Sequence, residues 1–273
     1  EVIREQPMAS ITNLHEAMEN IIRLTALRPY MDPLTRSQLV QKITQKVFQL
    51  PSLQVMKIKA GSSVKATPSQ DCYQETVYIW LNMLTSLLSE APSLKTLQEI
   101  LVHIKGWIDS TKISERQRAV KTTNALLKYV SEHLDFDVSQ DFPLLGQLVA
   151  LLSLHLTDNV KEIGLQSAEA LYHLHYILIA KMGKELEKRG NKNKKGKMVR
   201  WVREDFFIPG PSLFHYNIAK VAKAFGEHLT PSQINEVVLK AIDNLTVEDR
   251  AVSQAAGKLL RSFLEECGIE MEN

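Results

Sequence analysis

The residues of this 273-residue chain best suited to chemistry are a few histidines, two cysteines and one glycine- and lysine-rich run. His155, His173 and His175 fall in adjacent helical segments. Two positions on a helix separate side chains by about 200°, so His173 and His175 cannot converge on one metal ion. His155 could approach one of them, but no cysteine or placed carboxylate completes a tetrahedral set. The expectation is that these are helix-surface or groove histidines. Gly190 is followed by five residues and then Gly196-Lys197-Met198. A phosphate-cradling loop needs four residues between the glycines, and a Ser or Thr after the lysine to reach Mg²⁺. Here the loop is one residue too long, ends in Met and follows a helix rather than a strand. Cys72 lies beside Tyr73 with no base to activate its thiol. Glu265 and Glu266 are sequence neighbours and not a facing acid pair, and neither HExxH nor GxSxG occurs. The chain is expected to have no catalytic residues, no metal site and no cofactor, and not to be an enzyme.

What remains is the cationic run itself, "KELEKRGNKNKKGKMVRWVR" from Lys184 to Arg203. From Lys181 to Arg203 ten Lys/Arg stand against two Glu, whereas the whole chain carries a net charge of only +2. The remainder therefore holds about −6, and this segregation says more than the total. Lys188, Arg189, Lys192, Lys194, Lys195, Lys197 and Arg200 form a candidate anion-binding or nuclear-import loop. Six to ten cations could neutralise several phosphates of a nucleic acid or an anionic membrane. Gly, Asn and Lys are equally the composition of a solvated loop, which is the first expectation. Trp201, Phe206, Phe207, Phe214 and Tyr216 crowd just after it, to pin the insertion onto the body or to stack on a partner.

The elements that must position these residues are helices almost throughout, since apolar residues recur at three and four rather than at two. Prolines punctuate them: one helix ends before Pro29, the next starts at Asp32-Pro33 and ends at Pro51. Ser93 and Ser114 are expected to cap helix N-termini, and Thr230-Pro231 reads as a cap followed by proline at the first helical position. Trp80 and Trp107 lie on apolar stripes and are expected in the core. About ten helices result, joined mostly by two to six residues, and no strand–helix–strand unit is seen. The longest apolar runs fall short of the roughly 18 residues a membrane helix needs.

These helices repeat. With Arg118, Lys161 and Arg250 in register, Val120, Ile163 and Val252 coincide, as do Ala125, Ala168 and Gly257. In the preceding helix Leu148, Leu152 and Leu156 match Val237, Ala241 and Leu245. The offsets are 43 and 89, the second about two periods with the basic insertion inside it. Helix pairs recurring at about 40–47 residues are the HEAT or armadillo pattern. The matched small residues would let helices approach closely, and the matched cations would pair with acids of adjacent units. The expected fold is an all-α, HEAT/armadillo-like α-α superhelix, or solenoid. Residues 1–52 would form an N-terminal helix pair, 53–70 a linker, 71–183 repeats, 184–211 the basic insertion and 212–273 the C-terminal repeats of a single repeat domain.

"ISERQRAVKTTNALLKYV", "FPLLGQLVALLSLHLTDNVKEIGLQSAEALYHL" and "IAKVAKAFGEHLTPSQINEVVLKAIDNLTVEDRAVSQAAGKLLRSFL" resemble the maestro HEAT-like repeat family over roughly residues 90 to 266. The resemblance implies a fragment of a long intracellular repeat protein, and it carries no catalytic motif across. The leading expectation is a non-catalytic scaffold for protein partners, presenting a surface of second-helix residues. Candidates for that surface are Arg116, Lys121, Asn124, Glu162, Gln166, Glu169, Ser253 and Lys258. The alternative is binding of nucleic acid or anionic membrane through residues 184–203. An intracellular, chiefly cytoplasmic location is expected from the cysteine usage, with the nucleus open to it through the basic run.

Overall fold

The computed structural model describes residues 2–50, 68–133, 135–188 and 213–268, with the backbone alone in 2–10, 68–73, 184–188 and 213–217. Among the described residues there are ten α-helices and no strand: α1 Val2–Thr25, α2 Pro33–Phe48, α3 Pro68–Glu90, α4 Leu94–Ile108, α5 Ile113–Glu132, α6 Leu145–Leu154, α7 Lys161–Lys188, α8 Leu213–Gly226, α9 Pro231–Asp243 and α10 Arg250–Cys267. One turn of 3₁₀-helix, His155–Thr157, extends α6. The fold class expected from periodicity is the one observed. The chain divides into two compact units, Glu1–Ile104 and Lys105–Asn273, with the division inside α4.

Local chemistry sets the helix ends. Asp32 accepts a hydrogen bond from the Thr35 amide, with Pro33 at the first helical position of α2. Thr230 and Gln233 form a reciprocal capping box at α9, which satisfies two amides that the first turn cannot pair internally. Ser93 Oγ accepts from the Thr96 amide at the start of α4. Ser114 is not a cap: α5 begins a residue earlier, at Ile113, with Lys112 in the cap position and no side-chain cap bond there. Ser110 does the local work, since its hydroxyl accepts from the Lys112 amide and donates to Glu115 Oε2 at 2.6 Å. Asp249 caps α10 through the amides of Ala251 and Val252.

In the first unit α1 and α2 each pack on α3. Met18, Val47, Phe48, Trp80, Met83, Leu84 and Leu87 are buried there. Phe48 meets Trp80 edge to face at 6.2 Å, a favoured arrangement of ring quadrupoles. Arg36 of α2, buried, reaches Glu99 of α4 at 2.6 Å, and Ser37 meets His103 Nε2 at 2.8 Å. The Met31 amide donates to the buried Glu90 carboxylate at 2.9 Å. These bonds join residues 59 to 66 apart, one repeat plus about twenty residues, and the expected linker 53–70 is of that length. Most of that linker lies outside the described residues, and α3 already begins at Pro68. Trp107, expected in the core, is only half-buried, unlike Trp80.

In the second unit α5 packs on α7, α6 on α9 and α8 on α10, while α10 also touches α9, α6 and the 3₁₀ turn. The register of this stacking is written in side-chain hydrogen bonds. Lys105–Gln147, Arg116–Asp158, Asn124–Gln166 and Ser131–His173 each join residues 42 apart. Gln117–Glu162 and Asn124–Glu169 join residues 45 apart, and Gln147–Glu236 joins residues 89 apart. The sequence periods of 43 and 89 therefore reappear, to within a residue or two, as contacts between equivalent positions of successive helices. One backbone approach is closer than any side chain allows. A Cβ at Gly146 of α6 would lie 2.5 Å from the Gln233 carbonyl oxygen of α9. Gly146 is thus a small residue that permits close packing of these two helices. At Gly257, the position suggested by the repeat alignment, an added Cβ meets only Leu245 Cδ2 at 3.8 Å, an ordinary contact.

Candidate functional site

The densest set of ionisable groups gathers where α4, α5, α9 and the 3₁₀ turn meet in the second unit. The tight turn after α6 carries His155 and Asp158 on its two ends, three residues apart. Asp158 receives Arg116 of α5 through Nε at 2.7 Å and Nη2 at 3.3 Å. Its Oδ1 also accepts the Val160 amide at 2.9 Å, which shapes the turn into α7. Arg116 uses Nη1 on the Ser110 carbonyl at 2.7 Å. On the other side Asp158 Oδ2 lies 3.1 Å from His155 Nδ1, and His155 Nε2 lies 3.5 Å from Asp109 Oδ1 at the end of α4. Asp109 is finally paired with Lys240 of α9. The result is a row of alternating charges: Arg116, Asp158, His155, Asp109, Lys240.

Burial and pairing oppose one another along this row. Burial works to raise the Asp158 carboxyl, but hydrogen bonds from His155, Arg116 and Val160 outweigh it, and the Arg116 charge adds to them; the group is held down at about 2. Burial likewise works to lower His155, yet its bonds to Asp109 and Asp158 and their charges raise it above the ordinary imidazole value. Asp109, raised by burial, is brought below the usual carboxylate value by His155 and Lys240. Pairing thus favours the protonated form of this buried imidazole more than water does, and it lies between two carboxylates that each have a basic partner. Such a row sets each charge beside an opposite one and ties four elements together.

His173 and His175 are also interior, not surface or groove residues as expected. His155, His173 and His175 are all buried, 3 to 5% exposed, because each finds its own partner. Two positions apart on α7, His173 turns to Ser131 of α5 at 2.7 Å while His175 lies edge to face with Phe225 of α8 at 5.3 Å. Burial and the neighbouring His228 push His175 down to about 4, and a bond to the Ala224 backbone only partly opposes them. Among the described residues no group of three or more His, Cys, Asp or Glu could hold a metal ion.

The residues named for a partner surface fall into two sets. Arg116 and Asn124 are buried, Arg116 on Asp158 and Asn124 on Gln166 and Glu169 of α7. Gln166 and Glu169 are half-buried through the same bonds. Lys121 and Glu162 are exposed, with Glu162 accepting from Gln117 at 2.7 Å. Ser253 and Lys258 are half-buried on α10, where Ser253 donates to the Leu245 carbonyl. Of the basic run, α7 carries the backbone to Lys188. Arg189, Lys192, Lys194, Lys195, Lys197 and Arg200 lie outside the described residues, as do Trp201, Phe206 and Phe207. The glycine pattern at Gly190 and Gly196 lies outside them too.

Sequence reading missed Asp109, Asp158 and Lys240. It expected cations at the starts of the second helices to pair with acids of adjacent units and named Arg118, Lys161 and Arg250. Arg116, two residues from the named Arg118, makes such a pairing with Asp158. The signal available was the spacing of 42 between Arg116 and Asp158, one repeat, with Asp158 in the turn that precedes a second helix.

Helix pairs joined by polar bonds one repeat apart define an all-α repeat protein of the HEAT class. A model of the family described as Maestro, HEAT repeats, matches residues 114–273. The chain belongs to that family. Among curated relatives it is 24% identical over 98% of its length to a Bos taurus protein named Maestro heat-like repeat-containing protein family member 1. It is 27% identical over 94% of its length to Maestro heat-like repeat family member 5 of Homo sapiens, and 26% identical over 86% to member 9 of the same species. The chain spans only 16% of the first of these relatives, 23% of the second and 41% of the third. No helix among the described residues is long and apolar enough to cross a membrane.

Proposed function

We propose that this chain is a non-catalytic HEAT-repeat scaffold for protein–protein interaction. The observation that carries this reading is the fate of its reactive side chains in the second unit. His173, Asp158, Arg116 and Asn124 are spent on bonds at the repeat spacing, and His155 on Asp158 within its own turn. A general base or a metal ligand must instead be left available to a substrate. Binding would fall to surface residues such as Lys121 and Glu162 and to the outward apolar side chains Leu239, Ile242, Leu245 and Val247 of α9 and the turn after it. Large exposed apolar side chains that cluster mark contact sites. Reading through the Lys-rich run 184–203 keeps only its charge as support. The test is capture of partners from native tissue on the 273-residue chain, followed by titration of each purified candidate against it. A one-to-one complex weakened at least tenfold by Leu239→Glu with Ile242→Glu supports the scaffold. Absence of any partner that binds the purified chain contradicts it.

A further inference from the structure

Between α4, α6 and α9 the second unit leaves a cavity of about 220 Å³ lined by Lys105, Gly106, Asp109, Gln147, Leu151 and Lys240. Gly106 sits in the last turn of α4, where an added Cβ would meet nothing within 4 Å. Glycine inside a helix costs about 1 kcal/mol relative to alanine, and no neighbour demands it here. Its missing side chain does one physical thing: it leaves that wall of the cavity open.

The charges around the space are unequal. Lys240 is matched by Asp109, but among the described residues Lys105 is bonded to an amide oxygen, that of Gln147, and to no carboxylate. The other face of Gln147 donates to Glu236 Oε1 at 3.1 Å. Behind the wall stand His155, Asp158 and Arg116. With His155 protonated, the cations Lys105, Lys240, His155 and Arg116 outnumber the carboxylates Asp109, Asp158 and Glu236 by one, and Lys105 at the cavity is the cation without a carboxylate. Leu151, buried, supplies an apolar surface beside it.

We propose that this cavity docks one acidic side chain, Asp or Glu, of a partner polypeptide, with the Lys105 ammonium as its counter-ion and Leu151 against its methylene carbons. The proposal rests on the scaffold reading above and names the chemistry of the partner. An ammonium facing a neutral amide in a partly enclosed space gains more from an arriving carboxylate than a fully solvated lysine does. The amide of Gln147 would keep one donor on Glu236 while its oxygen is released.

The test uses the full 273-residue chain, isotope-labelled, and three probes: N-acetyl-glutamate N-methylamide, its glutamine analogue and inorganic phosphate. Backbone amide shifts are followed at Gly106, Gln147, Leu151 and Lys240. The glutamate probe is expected to shift these four saturably, with the glutamine probe at least fivefold weaker, the worth of roughly one partly screened charge pair. Lys105→Gln should abolish that preference. Gly106→Phe should block both organic probes while its helical circular dichroism stays that of the parent. If Gly106→Phe does not fold, Lys105→Gln alone decides. Equal shifts from glutamate and glutamine, no saturable shift, or phosphate outcompeting glutamate at these amides overturns the proposal. Because no partner protein is present, failure here leaves the partner-capture test of the scaffold standing on its own result.

Discussion

Two glycines in the same unit should respond in opposite senses to the same substitution. At Gly146 an alanine Cβ would lie 2.5 Å from the Gln233 carbonyl oxygen, 2.8 Å from Glu236 Oε2 and 2.9 Å from Gln233 Cα. The first of these is about 0.9 Å short of ordinary contact, and two of the three atoms are backbone, which cannot swing aside. Helices α6 and α9 must separate, and Gln147–Glu236 and Gln233 Nε2–Phe142 O would stretch with them. Overpacking of this kind costs roughly 1–3 kcal/mol, against about 1 kcal/mol gained from helix propensity. The expected net effect of Gly146→Ala is therefore a loss of up to about 2 kcal/mol. Gly106→Ala meets nothing within 4 Å and should gain about 0.5–1 kcal/mol. Urea unfolding followed by far-ultraviolet circular dichroism compares the midpoints directly. A Gly146→Ala chain that gains stability as Gly106→Ala does would refute the close approach of α6 to α9 and with it the stacking register.

Other outcomes follow from the caps, the histidines and the basic run. Thr230→Ala removes the capping box of α9 and should lower stability by about 1 kcal/mol in the same urea assay. His175, held near 4 when folded and at 6.5 when unfolded, binds its proton more readily in the unfolded chain. Stability is therefore lost as pH falls from 6.5 towards 4, by about 2 kcal/mol between pH 7.5 and 5. His155 has the opposite sign, since its raised value adds stability below 6.5 that is lost as pH rises through its folded value. His175→Phe should flatten or reverse the acid slope of the urea midpoint, and an unchanged slope contradicts the buried neutral imidazole. Replacing Lys192, Lys194, Lys195 and Lys197 with Ser is expected to leave binding to RNA, DNA and anionic vesicles unchanged. A loss with a shallower salt dependence would instead assign that run to phosphate contacts.

The fold was legible because its signals are local and repeated. Proline after Asp32 and after Thr230 marks helix starts by chemistry confined to four residues, and both caps are seen. The offset of 89 between α6 and α9 could be read from Leu148 and Val237 because apolar periodicity survives an insertion. Ser114 misled because a serine followed by an acidic residue and then an apolar periodicity looks like a cap whether or not the helix has already begun. The polar row was less legible, since pairing depends on which side chains stacking turns inward. Arg116, Lys121 and Asn124 all sit on the polar side of one amphipathic pattern, yet Asp158 in the turn before α7 engages Arg116, α7 itself engages Asn124, and Lys121 is left in solvent. The histidines share this cause. A polar residue reads as exposed until a partner one repeat away, such as Ser131 for His173, satisfies it in the interior.

Buried polar bonds hold the repeats in register, and Arg116–Asp158 is a deeply buried ion pair among them, with side chains 9% and 2% exposed. A double-mutant cycle with Arg116→Met and Asp158→Asn, read by urea unfolding at pH 7, measures that bond without its surroundings. The expected coupling is about 2–3 kcal/mol, with each single variant losing more than the pair can explain because the other charge is left buried. Additive losses, with coupling below about 0.5 kcal/mol, would mean that the two side chains do not meet across the repeat and that the register described here is wrong.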